Sequence, residues 1–126
     1  MEHFSPVKSA IDAGLPVTLG SDWPVVPSAD PWLAIETLVT RQAPGGVGEP
    51  VSPKERISVA EAVNLFTREG ARQLGIDSKT GSLEQGKSAD FIVIDQNIFE
   101  IPAGNIHKTK VKYTIIAGKE VYKGIN

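Results

Sequence analysis

The sequence predicts an α/β fold, and three observations carry that reading. Residues 6–13 have a helical pattern with Val7, Ala10 and Ile11 on one face, and they lead through a Gly14-Leu15-Pro16 turn into the apolar, partly β-branched Val17-Thr18-Leu19. A short apolar run after a helix and a tight turn reads as a buried parallel strand, here residues 17–20. From about residue 76 the character changes to β, with Phe91-Ile92-Val93-Ile94 and the runs 112–117 and 120–123. A complete (β/α)8 barrel takes roughly 250 residues. The chain has 126, so its helix-strand-helix order fits a piece of such a barrel and not a whole one.

The first helix has Ser5 as a fair N-cap and Pro6 at the position that proline favours, and Gly14 stops it. The strand 17–20 then delivers Asp22 at its C-terminal end. In a barrel that end of a strand carries catalytic groups, so Asp22 is the candidate catalytic residue. The competing reading is a turn aspartate, because Ser21-Asp22 before Trp23-Pro24 is also good turn chemistry. A second helix opens with Asp30 as cap and Pro31 in first position. It carries Trp32, Ile35, Leu38 and Val39 as its stripe and ends near Gln42. Residues 43–56 hold three Gly and three Pro. They read as a long loop, of the kind that is usually functional or mobile.

Ser58-Val59-Ala60-Glu61 is a capping box. It starts a helix with Val59, Ala62, Val63 and Phe66 on its apolar face; Gly70 interrupts, and Ala71 to Leu74 gives one more turn closed by Gly75. A soft boundary lies at residues 75–81. Beyond it Phe91-Ile92-Val93-Ile94 reads as a buried strand, and the last two runs flank Gly118-Lys119 as a type II′ hairpin turn.

Composition narrows the function classes. The chain is 40% apolar and 22% charged, with a net charge of -2, and no basic block offers the footprint that nucleic-acid binding needs. Cys is absent, which removes disulfides, thiolate metal sites and cysteine nucleophiles. No apolar run approaches the roughly 20 residues of a membrane span. No charged-then-apolar leader opens the sequence, and the expected location is the cytoplasm.

The remaining chemistry-bearing residues are few. His3 and His107 are the only imidazoles, and neither sits in a His-x-His or His-Glu-x-x-His arrangement. His107 reads as a solvated loop residue. His3, ahead of the first helix, falls at the same end of a barrel as Asp22 and is a candidate substrate contact. Trp23 is a candidate pocket wall beside Asp22, whereas Trp32 belongs to a core stripe. Ser21 has no neighbouring His, so a Ser-His-Asp triad has little support. Lys54-Glu55-Arg56 and Arg68-Glu69 read as solvated surface. The run from Gly81 to Asp95 reads as a structural device of tight turns before a strand, with no phosphate cradle in it.

These stretches together resemble the C-terminal part of the metal-dependent amidohydrolase superfamily, and most of all its amidohydrolase-3, YtcJ-like branch. The resemblance rests on Val17-Thr18-Leu19-Gly20-Ser21-Asp22-Trp23-Pro24-Val25, on Asp30-Pro31-Trp32-Leu33-Ala34-Ile35 leading to Val39-Thr40-Arg41, and on Ile57-Ser58-Val59-Ala60-Glu61-Ala62-Val63 with Phe66-Thr67 and Gly70-Ala71. The Gly81 run, which includes Gly86-Lys87-Ser88-Ala89-Asp90-Phe91, and residues 111–122 complete it. It covers almost the whole chain in order.

The resemblance implies that residues 1–75 are the last helix-strand-helix elements of a hydrolase barrel. It implies that residues 76–126 are closing strands of a small accessory β-sandwich. It makes Asp22 a metal ligand and the base that activates water, in a centre that uses a divalent ion, most often zinc. The substrate it implies is a small-molecule amide or related C–N bond. The family's His-x-His pair and bridging Lys or carboxylate are not in this sequence. The chain is therefore expected to be inactive alone, to hold little or no metal, and to associate with itself through exposed strand edges. Two rival readings are a non-enzymatic oligomerisation or binding module and a subunit that completes another chain's active site.

Overall fold

The computed structural model describes residues 4–125. Four helices precede three strands: α1 Val7–Asp12, α2 Pro31–Thr40, α3 Val59–Phe66, α4 Arg68–Gln73, β1 Phe91–Ile94, β2 Val111–Ile116 and β3 Lys119–Lys123. Short 3-10 turns occupy Pro53–Glu55 and Ala103–Lys108. The result is a mixed α/β unit whose only sheet among the described residues is antiparallel, three-stranded and open, in the order β1-β2-β3.

The helix starts follow their caps. The Asp30 carboxylate accepts from Trp32 N at 2.9 Å, with Pro31 in the first turn of α2. Ser58 and Glu61 satisfy each other's backbone N–H groups in a complete capping box on α3. α1 departs from expectation. Pro6 stands at its N-cap, and no local side chain caps it. Instead the buried Glu55, 46 residues on, accepts from Ser9 N at 2.9 Å and from the Ser9 hydroxyl. An orphan donor of the first turn is thus satisfied by a tertiary carboxylate rather than a sequence neighbour. The break between α3 and α4 falls at Thr67, whose φ of -122° and ψ of -86° leave the helical region, and Gly70 lies inside α4.

Residues 17–20 do not form the expected strand. A strand exists by its ladder, and no other described segment pairs with this one, so Val17 and Leu19 pack half-buried against the core without it. The hairpin turn also differs by one residue. Ala117 and Gly118 occupy its centre with φ of 50° and 75°, the double positive φ of a type I′ turn, and Ile116 pairs with Lys119.

One apolar cluster spans both sides of the soft boundary. Val7, Trp32, Ile35, Leu38, Ala62 and Leu65 from the helices meet Ile98 and the fully buried Ile106 from the β half. β1 was expected to be buried; it is not. Phe91, Ile92 and Val93 remain 39%, 47% and 41% exposed, and only Ile94 packs against the cluster. The sheet touches the helices along one end, and no second layer among the described residues covers the rest.

Candidate functional site

Asp22 sits in a tight turn after residues 17–20. Its carbonyl accepts from Val25 N at 2.8 Å around a cis Trp23–Pro24 bond, and Trp23 N donates to the Ser21 hydroxyl at 3.2 Å. Asp22 itself has a φ of 56°, a left-handed conformation that Asp tolerates better than most residues. Its carboxylate is exposed and makes no hydrogen bond or ion pair with another described residue. Both readings of the sequence therefore meet at one place: Asp22 has turn geometry, and its acid group is left uncommitted by that turn.

The other predicted site residues do not gather around it. Trp23 is 65% exposed and lines neither the cavity between the helices and the sheet nor the two smaller ones at residues 66–92 and 11–72. The Ser21 hydroxyl is engaged by the turn. His3 lies outside the described residues. Among the described residues no group of three or more His, Cys, Asp or Glu is placed to hold a metal ion. Zinc sites use three or four protein ligands, so this arrangement does not by itself fit a metal centre.

His107 is the clearest correction. It is half-buried, on the 3-10 turn Ala103–Lys108, and its ring Nδ1 lies 2.7 Å from Glu36 Oε2. His107 N donates to the same oxygen at 2.7 Å, and Gly45 N donates to Glu36 Oε1 at 2.6 Å. The Glu36 side chain has no solvent contact. Burial pushes its pKa up, but the backbone bonds from His107 and Gly45, then the His107 ring, outweigh this and hold it below the ordinary carboxylate range. The Glu36 carboxylate thereby ties the loop at Gly45 to α2 and to the turn at His107. A sequence signal existed: Glu36 follows Trp32 by four residues and so lies on the apolar face of α2.

Two more buried charges brace the same loop. Arg41, at a φ of 60°, donates from Nε to Val51 O at 3.0 Å and from its guanidinium to the carbonyls of Phe4 and Ser5. Ser52 Oγ accepts from Phe4 N at 2.9 Å. Glu55, expected on the surface, is 1% exposed, because its carboxylate caps α1. A cavity of about 1100 Å³ lies elsewhere, between the helices and the sheet; Trp32, Ile35, Phe66, Ile92, Ile94 and Tyr122 are part of its wall.

The family of the chain follows from comparison with known proteins. The model of the amidohydrolase family matches residues 1–122, and the chain belongs to that family. It is 33% identical over 119 residues to the N-substituted formamide deformylase of Arthrobacter pascens, covering 93% of this chain and 21% of that protein. It is 32% identical over 117 residues to the putative amidohydrolase YtcJ of Bacillus subtilis, covering 92% and 22%. An imidazolonepropionase from Bdellovibrio bacteriovorus is 29% identical over 119 residues, covering 94% and 25%. The crystal structure of an amidohydrolase from Thermotoga maritima superposes with a TM-score of 0.69 at 22% identity, over 94% of this chain and 26% of that one, and shares the fold. The chain thus spans about a fifth to a quarter of the relatives it matches.

Proposed function

We propose that this chain carries the Asp22-bearing part of an amidohydrolase that cleaves an amide or related C–N bond of a small molecule, and that it does not turn over substrate alone. The observation that carries this reading is the free Asp22 carboxylate on its turn, within a chain that matches the amidohydrolase family along nearly all its length. An exposed, uncommitted carboxylate is suited to take the proton of a water attacking a carbonyl carbon. In this reading residues 1–75 are the last elements of a hydrolase barrel and residues 76–126 the closing strands beside it. The family's activity needs a divalent metal, zinc being the one expected. Its ligands other than Asp22 would have to come from outside the described residues. The formamide-cleaving relative makes N-formyl and N-acyl amides the first substrates to try.

The test has two arms. The chain alone is assayed with zinc on a series of N-formyl and N-acyl amides, and is then mixed with the preceding part of an amidohydrolase relative. The expected result is no turnover and no zinc retained by the chain after dialysis against a mild chelator, with turnover in the mixture that Asp22→Asn removes. Turnover or stoichiometric zinc in the chain alone overturns its inactivity. Turnover in the mixture that is indifferent to Asp22→Asn overturns the role of Asp22. A second reading, a binding or oligomerisation module, is favoured by one observation: the cavity of about 1100 Å³ between the helices and the sheet is mainly apolar and Asp22 does not line it. No turnover in any mixture supports that reading.

A further inference from the structure

The Asp22 turn has no packing of its own among the described residues. Residues 22–27 are all exposed, and the bonds from Val25 N to Asp22 O and from Trp23 N to Ser21 Oγ stay within the turn. Its place is therefore set by what holds its two ends. On one side, residues 17–20 pair with no described strand; Thr18 Oγ1 donates to Gln73 of α4, and Val17 and Leu19 are half-buried. On the other side stands α2. Ser28 Oγ accepts from Asp30 N at 3.1 Å, and the Asp30 carboxylate accepts from Trp32 N at 2.9 Å. The chain thus enters α2 through consecutive hydrogen bonds, and Trp32, Ile35 and Leu38 seat that helix in the core.

Apolar burial is non-directional, so those three side chains hold α2 in the core without fixing its rotation or its slide along its axis. Hydrogen bonds do prefer a distance and an angle. The Glu36 carboxylate supplies them one helical turn beyond Trp32. It has no solvent contact, and its donors come from two distant segments: Gly45 N at 2.6 Å on one oxygen, His107 N and the His107 ring at 2.7 Å on the other. An ionised carboxylate only accepts, so ring Nδ1 carries the proton in this bond. The 3-10 turn Ala103–Lys108 that bears His107 also carries the fully buried Ile106. Three bonds from two directions set the rotation and the slide of α2, and with them the end from which the Asp22 turn projects.

We infer that Glu36 and His107 are a positioning pair for Asp22: residues 103–108, in the β half, set where the Asp22 carboxylate stands by holding α2. This rests on the proposed role of Asp22. Backbone amide NMR of the 126-residue chain tests the coupling without any turnover. His107→Phe removes the ring bond and keeps the backbone one, so the chain stays folded. The expected result is amide shifts that run from residues 45 and 107 along α2 into residues 22–25. His107→Asn, whose side-chain N–H can take the place of Nδ1–H, should largely restore them. The control is Asp90→Asn, whose hydrogen bonds are to Thr80, Ser88 and Ala117; it should leave residues 22–25 unmoved. Shifts confined to residues near 36, 45 and 107, an equal response to Asp90→Asn, or no rescue by His107→Asn each overturns the inference. In the mixture with the preceding part of an amidohydrolase relative, His107→Phe should lower kcat about tenfold with KM unchanged, since a misplacement of about 1 Å can cost up to about 10²-fold. An unchanged kcat, or a change in KM alone, also overturns it. A mixture in which even the unaltered chain gives no turnover fails the proposed role of Asp22 and not the coupling, which the amide shifts decide alone.

Discussion

The Glu36 carboxylate and the His107 ring meet at 2.7 Å across 71 residues of chain. Glu36 belongs to α2, and His107 to the turn between β1 and β2. The same carboxylate also takes the Gly45 N–H, so one buried anion fixes helix, loop and sheet connection to each other. None of its three donors comes from its own helix. A buried anion is tolerated only with such a complement of hydrogen bonds, and here they coincide with the apolar seam around Ile106.

Glu36→Gln should therefore destabilise the fold at neutral pH. An amide keeps one acceptor oxygen, and its NH2 group must face either Gly45 N or the His107 donors. An unsatisfied buried donor costs about 1–3 kcal/mol. Glu36 has a lowered folded pKa, so its contribution is complete above the ordinary carboxylate value and is lost as pH falls through the folded value. Urea unfolding of both proteins from neutral to acid pH should show their stabilities converging in acid. A gap that stays constant over that range would show that the charge of Glu36 is not what matters.

His107→Phe removes the ring bond and leaves the backbone one. Its cost should be smaller than that of Glu36→Ala, which leaves the His107 and Gly45 backbone N–H groups as well as the ring without their acceptor, at about 1–3 kcal/mol for an unsatisfied buried group. A double-mutant cycle between the two positions should give a coupling of about 0.5–3 kcal/mol, as for residues in direct contact. Additive effects would mean that the ring bond contributes nothing.

Gly81→Ala should destabilise the chain more than most surface changes. A Cβ there would lie 2.5 Å from Ala71 Cβ and 3.4 Å from Arg68 Cα, at a φ of +89°. Overpacking typically costs about 1–3 kcal/mol, and the left-handed backbone adds strain for any residue with a Cβ. Repeating the substitution in an Ala71→Gly background should recover the packing part and not the backbone part. Thermal melts of the four proteins separate the two, and an unchanged melting temperature for Gly81→Ala would contradict the close approach.

Local chemistry was legible in the sequence, and tertiary chemistry was not. Asp30, the Ser58-Glu61 capping box, Trp32 in the core and the β1-β2-β3 runs all follow from residues within a few positions of one another. Gly81 was legible as a structural glycine, but its neighbour Ala71 was not. Residues 17–20 failed as a strand because a ladder needs a partner that no local pattern supplies. Glu55 and His107 were taken for solvated residues because their partners, Ser9 and Glu36, lie 46 and 71 residues away. Of the candidate site, the turn at Asp22 was legible in Ser21-Asp22-Trp23-Pro24; a group that would act with Asp22 has to come from outside that turn, where no local pattern points to it.

Asp22→Asn separates a functional aspartate from a structural one. The Asp22 carboxylate is exposed and accepts no hydrogen bond among the described residues, and Asn tolerates its positive φ of 56° as readily as Asp does. Exposed substitutions away from special contacts stay within about 0.5 kcal/mol. The melting temperature of the chain should therefore be unchanged or slightly raised. In a protein that supplies the rest of the site, the same change should lower turnover by about 10² to 10⁴, the usual contribution of a general base. Asn keeps the size and the turn but cannot take a proton. A clear fall in the melting temperature of the chain alone would make Asp22 a turn-forming residue, and its assignment to the chemistry would have to be withdrawn.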